Sequence, residues 1–198
     1  MRKCFVAIGG GNVQQKETLS IDQKIIELSG KSHPKVLFFP TASRDDQGYG
    51  KRFKQYYRSL GCEVDAIRLL HTLKSHVDFE NEWFAYDIWY FGGGDTAFLM
   101  ETIRQMGIDD LIEQAYEQGI VLVGYSAGAN MLFSYGYAEQ EGNYALVEGI
   151  GLCKKVFTPH YQKRPWFKEA VYSISLTSIG CKDQQAYIEE DEKGYFFP

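Results

Sequence analysis

The sequence has no apolar run approaching the roughly 18 residues that a membrane-spanning helix needs. The apolar stretch near its start, Cys4–Ile8 behind Arg2 and Lys3, is far too short for a signal peptide and reads as a buried strand. Long basic runs are also missing. The 21 Lys and Arg are outweighed by 26 Asp and Glu, and a net charge of −5 argues against nucleic-acid and anionic-membrane partners. Cysteine is scarce. Cys4, Cys62, Cys153 and Cys181 are scattered without a C-x-x-C pair, so neither a disulfide framework nor a zinc site is expected. There is no G-x-G-x-x-G dinucleotide fingerprint and no lysine after a glycine loop, so no cofactor is expected. Repeats, low-complexity tracts and linkers are missing as well. Together these features point to the cytoplasm.

What is present suits one domain spanning residues 1–198, since domains cluster at roughly 100–200 residues. With 44% apolar and 15% aromatic residues the chain can fill a core. Its 27 Phe and Tyr (13 and 14) leave room for an exposed apolar face, and a homodimer is the expectation drawn from it. Strands are expected at Cys4–Ile8, Val36–Phe39, Glu63–Leu69, Ile88–Phe91 and Ile120–Val123. All but the third are nearly continuous in apolar residues, as strands buried on both faces of a parallel sheet are. Helices are expected from Ser20 to Ser29, Gly50 to Leu60, Thr96 to Met106 and Ile108 to Gln118. Trp166–Ser173 reads as helical, and Ala186–Glu190 with Gly194–Phe197 as a final hairpin. The β-α-β order implies an α/β fold with helices on both faces of the sheet.

In such sheets chemistry sits beyond the carboxyl ends of the strands. The fifth strand ends in Gly124-Tyr125-Ser126-Ala127-Gly128, a G-x-S-x-G nucleophile elbow between a strand and an expected helix Ala127–Phe133. A tight turn there lifts the Ser126 hydroxyl out of the sheet and aims the Ala127 amide at a developing oxyanion. The fourth strand ends in Gly92-Gly93-Gly94-Asp95-Thr96. Its glycines suit the second half of an oxyanion hole, a phosphate loop, or a plain helix start. A serine nucleophile needs a base. His33, His71 and His76 lie in polar stretches and are expected at the surface. His160, in Thr158-Pro159-His160-Tyr161 after the strand-like Val156-Phe157, is the candidate. The residue pattern does not choose the acid. Glu139, Glu141 and Glu148 lie before His160, and Glu169, Asp183 and the Glu189–Glu192 run after it; that run is expected to be a solvated turn.

With Gly9-Gly10-Gly11, Pro40-Thr41-Ala42-Ser43, the Gly92–Thr96 loop, Gly124–Asn130 and Thr158–Tyr161 in that order, the chain resembles the peptidase E / cyanophycinase family of serine hydrolases. The resemblance covers most of the chain. It implies a three-layer α/β/α sandwich with a mostly parallel sheet, similar to class I glutamine amidotransferases rather than to the α/β-hydrolase fold. It implies Ser126 as nucleophile, His160 as base, and Gly93, Gly94 and Ala127 as oxyanion donors. For the acid it implies Asp183, which matches the spacing of a family glutamate before Ala186-Tyr187; Glu141, fifteen residues after Ser126, is the second choice. The family cleaves after an N-terminal aspartate or in β-aspartyl-arginine polymers. A small acidic peptide is therefore the implied substrate, with Arg164 as its cation and Lys163 as second choice. Rival readings are a small esterase using Glu139, Glu141 or Glu148, a non-catalytic binding module, and a glutamine-amidotransferase-like enzyme, which serine in place of cysteine disfavours.

Overall fold

The computed structural model describes residues 2–72, 82–140 and 142–198. Two residues discussed above, His76 and Glu141, lie outside them. The main sheet takes β1 (Cys4–Ile8), β2 (Lys35–Phe39), β3 (Glu63–Ala66), β4 (Ile88–Phe91), β5 (Val121–Tyr125), β10 (Ala186–Glu190) and β11 (Lys193–Phe197) in the order β11-β10-β1-β5-β4-β2-β3. β1 to β5 run parallel, and the C-terminal hairpin β10–β11 adds antiparallel to β1.

A strand covered on both faces must be apolar on both. β1 and β4 are buried at every position. Alternate residues feed two cores. Cys4, Val6 and Ile8 face α1 (Leu19–Leu28) and α2 (Gln47–Ser59), together with Phe38 and Tyr90. Phe5, Ala7, Phe39, Trp89 and Phe91 face α3 (Thr96–Met106), α4 (Asp109–Glu117) and α5 (Ala127–Met131) on the other side. The result is an α/β sandwich with a mostly parallel sheet. The side chain of Asp22 ties the first helical layer together. It is buried, and accepts from Thr18 Oγ1 at 2.8 Å, Tyr56 Oη at 2.8 Å and Tyr57 Oη at 2.6 Å. Burial raises its pKa even against these three donors.

A second sheet, absent from the expectations, packs its inner face on the α3–α5 core. It takes β6 (Phe133–Gln140), β7 (Asn143–Glu148), β8 (Cys153–Thr158) and β9 (Ser178–Gly180) in the order β7-β6-β8-β9. The expected helix through Phe133 ends instead at Met131, and Phe133 opens β6. The β6–β8 register shifts between Phe133 and Tyr135. That irregularity breaks the period-two alternation by which a strand is read from sequence. β3 stops at Ala66, short of the expected Leu69, because its one partner β2 ends beside it; Leu69–His71 is a 3-10 turn. The region Trp166–Ser173 contracts to one helical turn, α6 (Phe167–Ala170). The C-terminal hairpin turns at Asp191 and Glu192, both at positive φ, but Glu189 is not solvated. It is buried against Lys155 Nζ at 3.0 Å, Tyr187 Oη at 3.1 Å and Cys153 Sγ at 3.2 Å. The four cysteines are buried and unbridged.

Among the described residues no helix is long and apolar enough to cross a membrane.

Phe5 shows what the core contributes. It is fully buried, with ring partners Phe133 at 5.6 Å, Tyr116 at 6.2 Å and Tyr187 at 6.3 Å. Phe5→Ala is expected to destabilise the chain by about 3–5 kcal/mol in urea denaturation. Tyr172→Ala, at a side chain 90% exposed, should stay within about 0.5 kcal/mol.

Candidate active site

Ser126 joins β5 to α5 with φ 52° and ψ −102°. A non-glycine residue rarely sits there, at a cost on the order of 1–3 kcal/mol. The surroundings force it. The Ser126 amide donates to Ile8 O at 3.0 Å, and Ser126 O accepts from the Asn130 amide at 3.1 Å. The flanking glycines let backbones touch: a Cβ at Gly124 would lie 2.2 Å from Gly128 O, and one at Gly128 2.2 Å from Phe91 O. Ala127 opens α5, where helix amides have no intrahelical partner.

His160 follows β8 in the left-handed region, with φ 52° and ψ 38°. Its amide donates to Gly9 O at 2.9 Å, and its Nε2 lies 2.9 Å from Ser126 Oγ. On the other side of the ring, Nδ1 is hydrogen-bonded to Asp183 Oδ1. Asp183 stands in the loop between β9 and β10, held by the Gln184 amide donating to Gly10 O at 2.9 Å. So three consecutive carbonyls, of Ile8, Gly9 and Gly10, anchor the backbones at Ser126, His160 and next to Asp183. Gly10 has φ 148°, and a Cβ there would lie 2.1 Å from Asp183 Oδ1 and 2.4 Å from His160 Cε1. No other residue fits behind the His160–Asp183 pair.

Lys163, the second-choice substrate cation, has its Nζ 3.1 Å from Asp183 Oδ2. Burial pulls the Asp183 pKa up. The bonds from His160 and Lys163, with their positive charge, outweigh burial and hold it below the ordinary carboxylate value. Among the other acids, Glu148 lies 3.6 Å from Arg104.

Ser126 and His160 line a cavity of about 850 Å³ between the Gly11–Lys16 segment and α2, with Gly93, Gly94 and Tyr125 at its inner end. Helix α2 supplies Tyr49, Arg52 and Tyr56, and its N-cap Asp46 lies beside them. Tyr125 Oη donates to Gly11 O and closes the base. Gly93 does not present a free amide: its N–H donates to Tyr49 Oη at 3.3 Å. Among the described residues no group of three or more His, Cys, Asp and Glu could hold a metal.

Arg164 is not in the cavity. Its side chain is buried, and Nη1 donates to Tyr137 O at 3.0 Å and Thr158 Oγ1 at 2.8 Å, with the guanidinium 4.9 Å from the Tyr144 ring centre. It braces the second sheet behind His160, which corrects its expected role as substrate cation. The cations that do line the cavity, Lys16 and Arg52, were missed. The available signal was on α2, where Tyr49, Arg52 and Tyr56 follow helical spacing on one face beside the core residues Phe53 and Tyr57.

The whole fold is that of a known bacterial peptidase. The crystal structure of a peptidase from an acI-B1 Actinobacterium matches with a TM-score of 0.77 at 20% identity, covering 100% of this chain and 88% of that one. The sequence profile of Peptidase family S51 matches residues 5–194, and the chain belongs to that family. It is a serine-type peptidase, a hydrolase. The Bacillus subtilis (strain 168) protein named uncharacterized peptidase YgaJ is 32% identical over 190 residues, 93% of this chain and 81% of its own. A Nostoc sp. protein named Peptidase E is 25% identical over 157 residues, 76% of this chain and 62% of its own.

Because the folded Asp183 pKa is depressed, its stabilising contribution is present above the unfolded value of about 3.9 and is lost as pH falls through the lower folded value. Lys163→Met removes part of that depression. The Asp183 carboxyl, followed by carbon NMR, should titrate at a higher pH in the variant; an unmoved midpoint would mean that the lysine contact is not formed in solution.

Proposed function

We propose that the chain hydrolyses peptide bonds of small acidic peptides, of the Asp-X kind, through a Ser126–His160–Asp183 triad and an acyl-enzyme. The carrying observation is the 2.9 Å contact between Ser126 Oγ and His160 Nε2, with Asp183 on the opposite ring nitrogen, at the inner end of the cavity. In this reading Oγ attacks the scissile carbonyl while Nε2 takes its proton. Asp183 holds the tautomer and stabilises the imidazolium. The oxyanion forms beside the Ala127 amide and the Gly93–Gly94 loop. His160 then returns the proton to the leaving amine, the C–N bond breaks, and water attacks the Ser126 ester by the same route in reverse.

The charge on the cavity wall supports an anionic substrate. Lys16 and Arg52 outnumber the single carboxylate Asp46, which lies 3.9 Å from Arg52 and caps α2 through the Tyr49 amide. Arg52, with a side chain 54% exposed, can turn its planar donors on a substrate carboxylate. The Nostoc relative named Peptidase E, and the family resemblance in the glycine loops and elbow, support the same substrate class.

A panel of Asp-X dipeptides against neutral dipeptides and short-chain esters tests the reading. Ser126→Ala should remove hydrolysis of the acidic peptides with the fold intact. Asp183→Asn should lower kcat by up to about 10⁴ with little change in KM, and Glu141→Gln should stay within a few-fold. Arg52→Met should raise KM for acidic peptides more than for neutral ones. Near-wild-type turnover by Ser126→Ala would overturn the assignment, and a reversal of the two acid variants would move the acid to Glu141.

A further inference from the structure

Of the cavity hydroxyls that take no part in the reaction, those of Ser43, Tyr56, Ser59 and Tyr125 each donate to a protein oxygen, and among the described residues that of Tyr49 does not. Tyr49 stands in the first turn of α2, its amide bonded to the Asp46 carboxylate. Its ring meets Phe38 edge-on, 5.0 Å between centres, and lies over the bare α-carbon of Gly92. A Cβ at Gly92 would come within 2.9 Å of Tyr49 Cε1 and 3.1 Å of Oη. The phenol is therefore fixed against the glycine loop, and its oxygen accepts the Gly93 N–H at 3.3 Å. That bond uses a lone pair and leaves the hydroxyl proton to be donated elsewhere. Among the described residues Oη has no second hydrogen-bond partner, and Tyr49 lines the cavity. The loop that carries Gly93 borders the elbow, since a Cβ on Gly93 would sit 3.5 Å from Ser126 Cβ, and Tyr49 and Ser126 line the same cavity.

We propose that the Tyr49 hydroxyl is a catalytic hydrogen-bond donor to the substrate oxygen that becomes the oxyanion, and that the Gly93 amide acts through it. The inference rests on the serine-peptidase reading of this site. An N–H spent on a phenol oxygen is a poor donor to a second acceptor. It polarises the phenol instead, and the strengthened O–H passes that polarisation on to the developing alkoxide. A phenol is also a stronger acid than an amide, so its bond strengthens more as negative charge grows. Burial raises the Tyr49 pKa, against smaller opposing effects of the Gly93 amide and the Arg52 charge, so the group keeps its proton at neutral pH. Only a hydrogen bond is donated; the proton of Ser126 still travels to His160.

Tyr49→Phe removes Oη and keeps the ring over Gly92. Its kcat on Asp-X peptides should fall about 10²–10³-fold, the loss typical of one oxyanion donor, with KM within a few-fold. Its thermal midpoint should stay close to that of the unchanged chain. The second-order rate of Ser126 modification by a fluorophosphonate, whose adduct is tetrahedral, should fall in parallel. Unchanged kcat and labelling rate in Tyr49→Phe, with an active wild type, would overturn the role of Tyr49 and leave the triad standing. A raised KM with unchanged kcat would make the hydroxyl a ground-state contact and also overturn it. A wild type that neither cleaves peptides nor takes the label on Ser126 would overturn the peptidase reading of the site and this inference with it.

Discussion

Three neighbouring backbone carbonyls, those of Ile8, Gly9 and Gly10, hold the rest of the site in place. They accept from Ser126, from His160 and from Gln184 beside Asp183, residues that lie far apart in sequence and come from two different sheets. Each bond contributes only about 1 kcal/mol to stability. Their value is geometric, since they tie three loops to the end of one central strand that cannot move without breaking the core on both its faces. β1 is fully buried and paired on both edges, with β5 parallel and β10 antiparallel. Strain at Ser126 and the left-handed turn at His160 persist because this frame over-determines them.

The same frame explains why glycine occupies the end of β1. The carbonyls can reach three partners only where the strand leaves the sheet in a conformation open to few other residues. The His160–Asp183 pair then packs directly onto Gly10. On the opposite wall, the Asp22 carboxylate holds Tyr56 and Tyr57 of α2 and so fixes the helix that carries Tyr49 and Arg52. Both walls are thus held by buried polar contacts set into apolar cores.

Much of this was legible in the sequence. The limits of β1 and β4 follow from unbroken apolar runs, and the elbow from glycines spaced around Ser126 between a strand and a helix. What sequence pattern does not carry is anything that depends on one surface meeting another. The second sheet was hidden because the register shift after Phe133 destroys the alternation, and because β9 has only three residues. Arg164 looked like a ligand cation from its distance to His160 along the chain. In space the chain turns at Tyr161–Lys163 and sends that guanidinium back under Thr158. Tyr49 fell just outside the expected helix Gly50 to Leu60 and Arg52 inside it without a role, since nothing local states that α2 lies across the glycine loop. Asp183 was reached by resemblance, as spacing alone could not rank it above the other acids.

The position of Asp183, late in the chain, also bears on how the site comes together. Synthesis delivers the N-terminal part first, so β1, the elbow and His160 emerge well before the loop that ends in β10. Until that loop closes, the open edge of β1 lacks its antiparallel neighbour and His160 Nδ1 has no carboxylate to meet. Pairing of the C-terminal hairpin with β1 completes the sheet and brings Asp183 to His160 together, so in the proposed triad the last strand pair and the last catalytic contact share one closure.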